Sequence, residues 1–206
     1  MKNPLIITIG REYGSGGREI GKALAARLGI SYYDKEIITL AAKKSGLAEE
    51  FIAGNEQRIR SGMMHNFTAT ASYHTGFFAN SYLPLSENIF IAQAQVIRDI
   101  AARESAVIVG RCADYILEGR ENTINVFIHA PLKARVERIM HLHNEDEAAA
   151  IKEITRSDKE RGNHYFRYTD MKWGKAQNYH ICINSALMGV EKTVEMLADL
   201  AQIEER

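Results

Sequence analysis

Two rhythms of apolar residues alternate along the chain. Leu5-Ile-Ile-Thr-Ile9 is a short β-branched run that ends in a glycine-rich turn, the pattern of a buried strand. Ile20, Leu24 and Leu28 then recur every four residues among lysines and arginines, which predicts a helix with one buried stripe, stopped by Gly29. Ile30-Ser-Tyr-Tyr33 reads as a second strand and Lys35 to Lys44 as a second helix. Ala106-Val-Ile-Val109 and Ile124-Asn-Val-Phe-Ile128 read as strands buried on both faces, and Tyr179-His-Ile-Cys-Ile183 as a more alternating one. Helical stripes fall between and after them: Phe90, Ile97 and Ile100; Leu132, Val136 and Ile139; Val190, Val194, Leu197 and Ala201. Pro131 suits the first turn of its helix, where a missing N–H costs nothing. Strands alternating with helices predict an α/β fold with a five-stranded parallel sheet covered on both faces.

The stretch from Gly54 to Ser86 fits this rhythm poorly. It is rich in Ser, Thr, His, Asn and aromatic residues, and is expected to be an insertion over the mouth of the sheet, since long irregular segments in compact domains are usually functional covers. Its aromatic residues, Phe67, Tyr73, Phe77, Phe78 and Tyr82, could stack on a base or pack the insertion against its own domain. A second polar and aromatic stretch runs from Gly162 to Asn178. At 206 residues the chain is long enough for one domain and short for two, so residues 1–206 are expected to form a single domain.

Composition narrows the function classes. Twenty-six basic side chains balance 26 acidic ones, which argues against a dedicated binder of nucleic acid or of anionic membranes. No apolar run approaches the roughly 20 residues needed to cross a bilayer, and the apolar stretch at the start is too short for a signal peptide. The two cysteines, Cys112 and Cys182, lack metal-ligand spacing and are expected to be small core residues in a reducing, cytoplasmic compartment. His141 and His143 lie two apart, so a helix points them to different faces, and neither is expected to hold a metal.

Gly10-Arg-Glu-Tyr-Gly-Ser-Gly-Gly-Arg18 joins the first strand to the first helix. Glycines there let several backbone N–H groups face one point, where the helix dipole is positive, and that suits a phosphate. The dinucleotide pattern fails, because Glu19 stands where its third glycine belongs. The nucleotide P-loop, G-x-x-x-x-G-K-S/T, fits better with one residue too many: Gly17 takes the lysine place and Arg18 the hydroxyl place, or Arg18 and Glu19 in the slipped register. Gly14, Ser15, Gly16, Gly17 and Arg18 are the candidate phosphate-binding residues, with an empty glycine-rich turn as the bland alternative.

Ile7-Thr-Ile-Gly-Arg-Glu-Tyr-Gly-Ser-Gly-Gly-Arg-Glu-Ile20 followed by Tyr33-Asp-Lys-Glu36 resembles the opening of the cytidylate kinase-like family. Glu87-Asn-Ile-Phe90, Val107-Ile-Val-Gly-Arg-Cys-Ala-Asp-Tyr115, Trp173-Gly174 and Asn178-Tyr179 are similar to its later blocks. The resemblance implies a P-loop NTPase-like three-layer fold with an inserted segment, about 54–86, and a lid, about 155–172. It implies ATP and Mg²⁺ as cofactors and phosphoryl transfer to a nucleoside monophosphate, with CMP or dCMP as the acceptor. Arg111 matches the arginine that true cytidylate kinases place on the acceptor phosphate. Cys112 does not match the aspartate that follows it, and Asp114 could supply that carboxylate.

Arg156-Ser-Asp-Lys-Glu-Arg161 resembles the arginine-bearing lid of nucleoside monophosphate kinases, which makes Arg156 and Arg161, with Arg18, the catalytic candidates; a solvated charged helix is the rival. Asp34 follows the second strand at the ligand edge, where it could serve Mg²⁺ or the acceptor, or cap the next helix. Two other readings stay open: a kinase of another small metabolite, and a module that binds nucleotide without transferring phosphate.

Overall fold

The computed structural model describes residues 4–45 and 85–204. They fall into two compact units, one formed by Met1–Tyr33 and Ile100–Arg206, the other by Asp34–Asp99.

The first unit is built on a five-stranded parallel sheet. Its strands are β1 (Ile6–Arg11), β2 (Ser31–Tyr33), β3 (Ala106–Val109), β4 (Thr123–His129) and β5 (Ile181–Asn184), in the spatial order β2-β3-β1-β4-β5. β1 is therefore central, and the chain leaves it toward β2 on one side and later reaches β4 on the other. Its carboxyl end is the switch point where open α/β sheets hold ligands. Ile7, Ile9, Val107, Val109, Val126 and Ile128 face one layer of helices, α1 (Gly17–Leu28) and the kinked C-terminal helix (Ser185–Glu204), in one apolar core. Gly29 ends α1 in the left-handed region, its N–H returning to Ala25 and Ala26, as the sequence predicts. The opposite face carries Thr8, whose hydroxyl donates to Asn125 at 2.7 Å, and Phe127, packed by Trp173 and Tyr179.

The second unit holds α2 (Lys35–Ser45) and most of α3 (Leu85–Arg103), with Ile37, Ile89, Val96 and Ile97 buried. Lys44 pairs with Asp99 at 2.5 Å inside it. The expected insertion at 54–86 lies outside the described residues apart from Leu85 and Ser86, which open α3.

In the first unit, short α4 (Ala113–Ile116) follows β3, α5 (Leu132–His143) follows β4, and α6 (Glu147–Thr169) precedes β5, so the C-terminal helix is α7. Several expectations need correcting. Leu132 is exposed at the head of α5, where Arg135 takes a buried place beside Val136 and Ile139. Pro131 stands one residue before α5, not inside its first turn. The polar and aromatic stretch Gly162–Asn178 is helical in its first half, where it continues α6. Cys112 is buried as expected, but Cys182, on the edge strand β5, is exposed.

Candidate functional site

The turn between β1 and α1 has Gly14 at φ +78° and Gly16 at φ +79°, a conformation other residues adopt only with strain. Gly16 is the N-cap of α1 and has no side chain with which to bond the first helix N–H groups. The turn is braced from behind: the Ser15 hydroxyl donates to Glu12 O at 2.9 Å, and the Ser185 hydroxyl donates to Ser15 O at 2.6 Å. Left-handed glycines alternating with other residues before an open helix start make a concave array of amides suited to an anion.

Gly17 has a steric reason to stand in the lysine place. A Cβ on it would lie 2.5 Å from Arg11 Cβ, so the stem of Arg11 fills the space a side chain would need. The Arg11 guanidinium runs on against Gly110, where a Cβ would fall 2.1 Å from Nη1. Gly110, Arg111 and Cys112 are left-handed in succession, with φ of +79°, +58° and +53°. Two consecutive non-glycine residues in that region, each costing roughly 1–2 kcal/mol, mark a turn held by its surroundings.

α5 and α6 close on the loop from the side. Asp158 accepts from Tyr13 N–H at 2.7 Å and from Arg135 Nη1 at 2.5 Å, while Arg135 also donates to Tyr13 O at 3.2 Å and stands 3.4 Å from Glu12. Arg161 donates to Arg11 O at 2.8 Å, and its guanidinium sits 5.2 Å from the centre of the Tyr13 ring. The Tyr13 hydroxyl donates to Glu153 at 2.6 Å; burial, then that bond and the Glu153 charge, push the phenol up to about 12. Beyond it, His143, Glu145 and Glu153 bring ligand atoms within 4.8 Å of one another where α5 meets α6.

Among the candidates, Gly14, Ser15, Gly16, Gly17 and Arg161 are brought together at the loop. Arg18 is exposed on the first turn of α1. Arg156 is not brought there: it is exposed on α6 and pairs with Glu160 at 3.5 Å. Asp158 and Arg161, three apart on α6, do not pair with each other; each reaches the loop separately. Arg111 lies in the left-handed turn after β3. Asp34 is buried immediately before α2, in the second unit, and its N–H donates to Glu36 at 3.3 Å.

Asp114, on α4, is buried and accepts from the Tyr165 hydroxyl at 2.7 Å. Burial pushes the Asp114 carboxyl up, the Tyr165 bond opposing it. Burial, then the Asp114 charge, push the Cys112 thiol up to about 12, so Cys112 is not a ready nucleophile. Asp114, Tyr165, Tyr179 and Asn125 line part of a cavity of about 430 Å³. Arg135 and Arg138 were not singled out by the sequence. The available signal was their three-residue spacing beside Val136 and Ile139, which also describes an ordinary charged helix flank.

The model of the cytidylate kinase-like family matches residues 6–187. This chain belongs to the cytidylate kinase-like family. Among solved structures, an uncharacterized protein from Eubacterium ventriosum is 28% identical with a TM-score of 0.71, covering 96% of this chain and 98% of that one. A gluconokinase from Sinorhizobium meliloti (16% identical, TM-score 0.54, 98% and 96% covered) and a shikimate kinase from Bacteroides thetaiotaomicron (13%, 0.53, 96% and 98%) share the fold. The fold of this cytidylate kinase-like chain is thus that of P-loop kinases, and family and fold together support phosphotransfer in general. A uronate isomerase from Corynebacterium glutamicum is 30% identical over 107 residues, 51% of this chain. The chain spans about a fifth of that curated relative's length, 21%. Among the described residues no helix is long and apolar enough to cross a membrane.

Proposed function

We propose that this chain is a cytoplasmic, ATP-dependent phosphotransferase whose acceptor is a nucleoside monophosphate, CMP or dCMP first. The observation that carries the reading is the turn from β1 into α1, with left-handed Gly14 and Gly16, an uncapped helix start and Arg161 bonded to its main chain. Phosphoryl transfer asks for positioned charge and exclusion of water more than for covalent chemistry. Gly14, Ser15, Gly16 and Gly17 would hold phosphate through the main chain, and Arg18 and Arg161 would supply charge. Arg111 and Asp114 are the acceptor-side candidates in the same unit.

Mg²⁺, when bound with ATP, would neutralise phosphate charge. Three carboxylates stand at the loop, and Asp158 is committed to Tyr13 N–H and Arg135. Glu12 accepts from Ala130 N–H at 3.1 Å and faces Arg135, whereas the Glu19 side chain is 57% exposed and pairs with Arg138 in water, so it is the carboxylate that could turn to a hydrated ion.

A module that binds nucleotide without transfer is the second reading, and Gly17 in the lysine place favours it. One assay separates them: ADP formation from MgATP with CMP, dCMP, UMP or AMP, in wild type and Arg161→Ala. A kinase releases ADP only with its acceptor, and Arg161→Ala lowers kcat more than it weakens ATP binding. Measurable ATP binding without acceptor-dependent ADP would sink the reading for these acceptors and leave the module or another metabolite.

A further inference from the structure

The loop lacks the lysine of its pattern, and a cation from α5 overhangs the place where charge is wanted. A Cβ on Gly16 would lie 3.4 Å from Arg138 Cζ and 3.5 Å from both Nη1 and Nη2. The flat guanidinium therefore lies across the residue that caps α1, beside the uncapped first turn. Its partner there is Glu19, in that same first turn, with which it forms an ion pair. A carboxylate is favoured at the positive end of a helix, so Glu19 holds part of the ground an incoming phosphate would take.

Two of the other arginines near the loop are committed differently. Arg135 bonds a main-chain carbonyl and a mostly buried carboxylate, and Arg161 bonds Arg11 O. Turning either away would break bonds that position the loop. The Arg138–Glu19 pair is exposed by comparison, at 32% and 57% of the side chains, and ion pairs in water exchange partners at little cost. A guanidinium also offers a fork of donors that matches two phosphate oxygens.

We propose that Arg138 takes the role of the missing P-loop lysine, leaving Glu19 for the phosphate oxygens of a nucleotide triphosphate. This rests on the phosphotransferase reading above and adds, beside the Arg18 and Arg161 named there, the cation that stands over the loop in place of the lysine. Glu19 is then a built-in competitor for Arg138, and removing its charge should strengthen metal-free polyphosphate binding.

The test is calorimetric titration of the full chain with MgATP and with metal-free inorganic tripolyphosphate. Arg138→Ala should weaken both about 10- to 100-fold, the scale of a lost charge-assisted hydrogen bond, with Arg138→Lys recovering part of the loss. Glu19→Gln should tighten tripolyphosphate binding by about threefold or more, as expected for release of a weak surface pair. Wild-type binding to both probes with Arg138→Ala within twofold of it overturns the proposal alone, and a loss confined to Arg18→Ala would give the role to Arg18. Wild type binding neither probe overturns the proposal together with the reading beneath it. Thermal melts check that Arg138→Ala is folded. If it is not, Glu19→Gln decides, tighter binding supporting the exchange and unchanged or weaker binding overturning it.

Discussion

Asp158→Ala removes a single carboxylate from the junction of the loop, α5 and α6. It deprives Tyr13 N–H of a 2.7 Å acceptor and Arg135 of a 2.5 Å partner. Arg135 is only 9% exposed, so water cannot replace what it loses; Glu12 at 3.4 Å and Tyr13 O at 3.2 Å remain. A charge-assisted hydrogen bond contributes roughly 1.5–3 kcal/mol, and breaking a buried pair from one side costs roughly 3–5 kcal/mol. Because Glu12 still faces the stranded cation, the expected loss is about 2–4 kcal/mol. In a chain of this length each kcal/mol moves Tm by about 2–4 °C, so Tm should fall by about 4–16 °C. Melts followed by circular dichroism read this directly. Asp158→Asn keeps an oxygen for Tyr13 N–H and should lose about half as much. A double-mutant cycle with Arg135→Ala should return a coupling above about 1 kcal/mol. If Asp158→Ala melts within about 1 °C of wild type, less than one such bond is worth, the network does not hold the loop.

Two further outcomes follow from the same geometry. Gly17→Lys restores the letter of the P-loop pattern but drives its Cβ to 2.5 Å from Arg11 Cβ; it should destabilise by about 1–3 kcal/mol and gain no ATP affinity, and a stable variant with tighter MgATP binding would refute this. Because burial raises the Asp114 carboxyl, the folded state holds its proton more tightly than the unfolded chain. The stability linked to it is present at low pH, is lost as pH climbs from the ordinary carboxylate range through the raised value, and is level above. Asp114→Asn should flatten that slope in Tm against pH, and an unchanged slope would remove Asp114 as its source.

How far the fold could be read depended on which side chains face the core. β3 was legible to the residue because Ala106, Val107, Ile108 and Val109 are all buried, and a run with two buried faces needs no alternation. β1, read as Leu5–Ile9, runs from Ile6 to Arg11, and β4, read as Ile124–Ile128, runs from Thr123 to His129, because both strands continue past the ends of their apolar runs. Leu132 misled because its spacing matched Val136 and Ile139, whereas Arg135 holds the buried place through partners distant in sequence. The glycine loop was legible as a turn with helix attached. What completes it was not: Asp158 is 145 residues from Tyr13, and Arg138 is 119 from Glu19. No local pattern carries such pairings.

The length of α6 was hidden for a related reason, and the reason bears on what the helix can do. Ile154 packs with Val136, Ile139 and Ala150 in a small apolar cluster. Beyond it the inward face continues through Asp158, Arg161 and Tyr165, at spacings of four, three and four residues that keep them on one side of the helix. An apolar stripe thus turns polar where the helix passes the loop, which is why periodicity lost it. Each polar side chain answers a specific partner: Tyr13 N–H, Arg11 O and the Asp114 carboxyl. A shift of α6 along its axis would unmake all three together, since buried polar groups cannot exchange partners for water without cost. A lid at about 155–172 that swings free would have to break the same bonds. Were α6 to open as such a lid, its opening and the order of the loop's main chain would be one equilibrium, and a phosphate that competed with Asp158 for Tyr13 N–H would act on both.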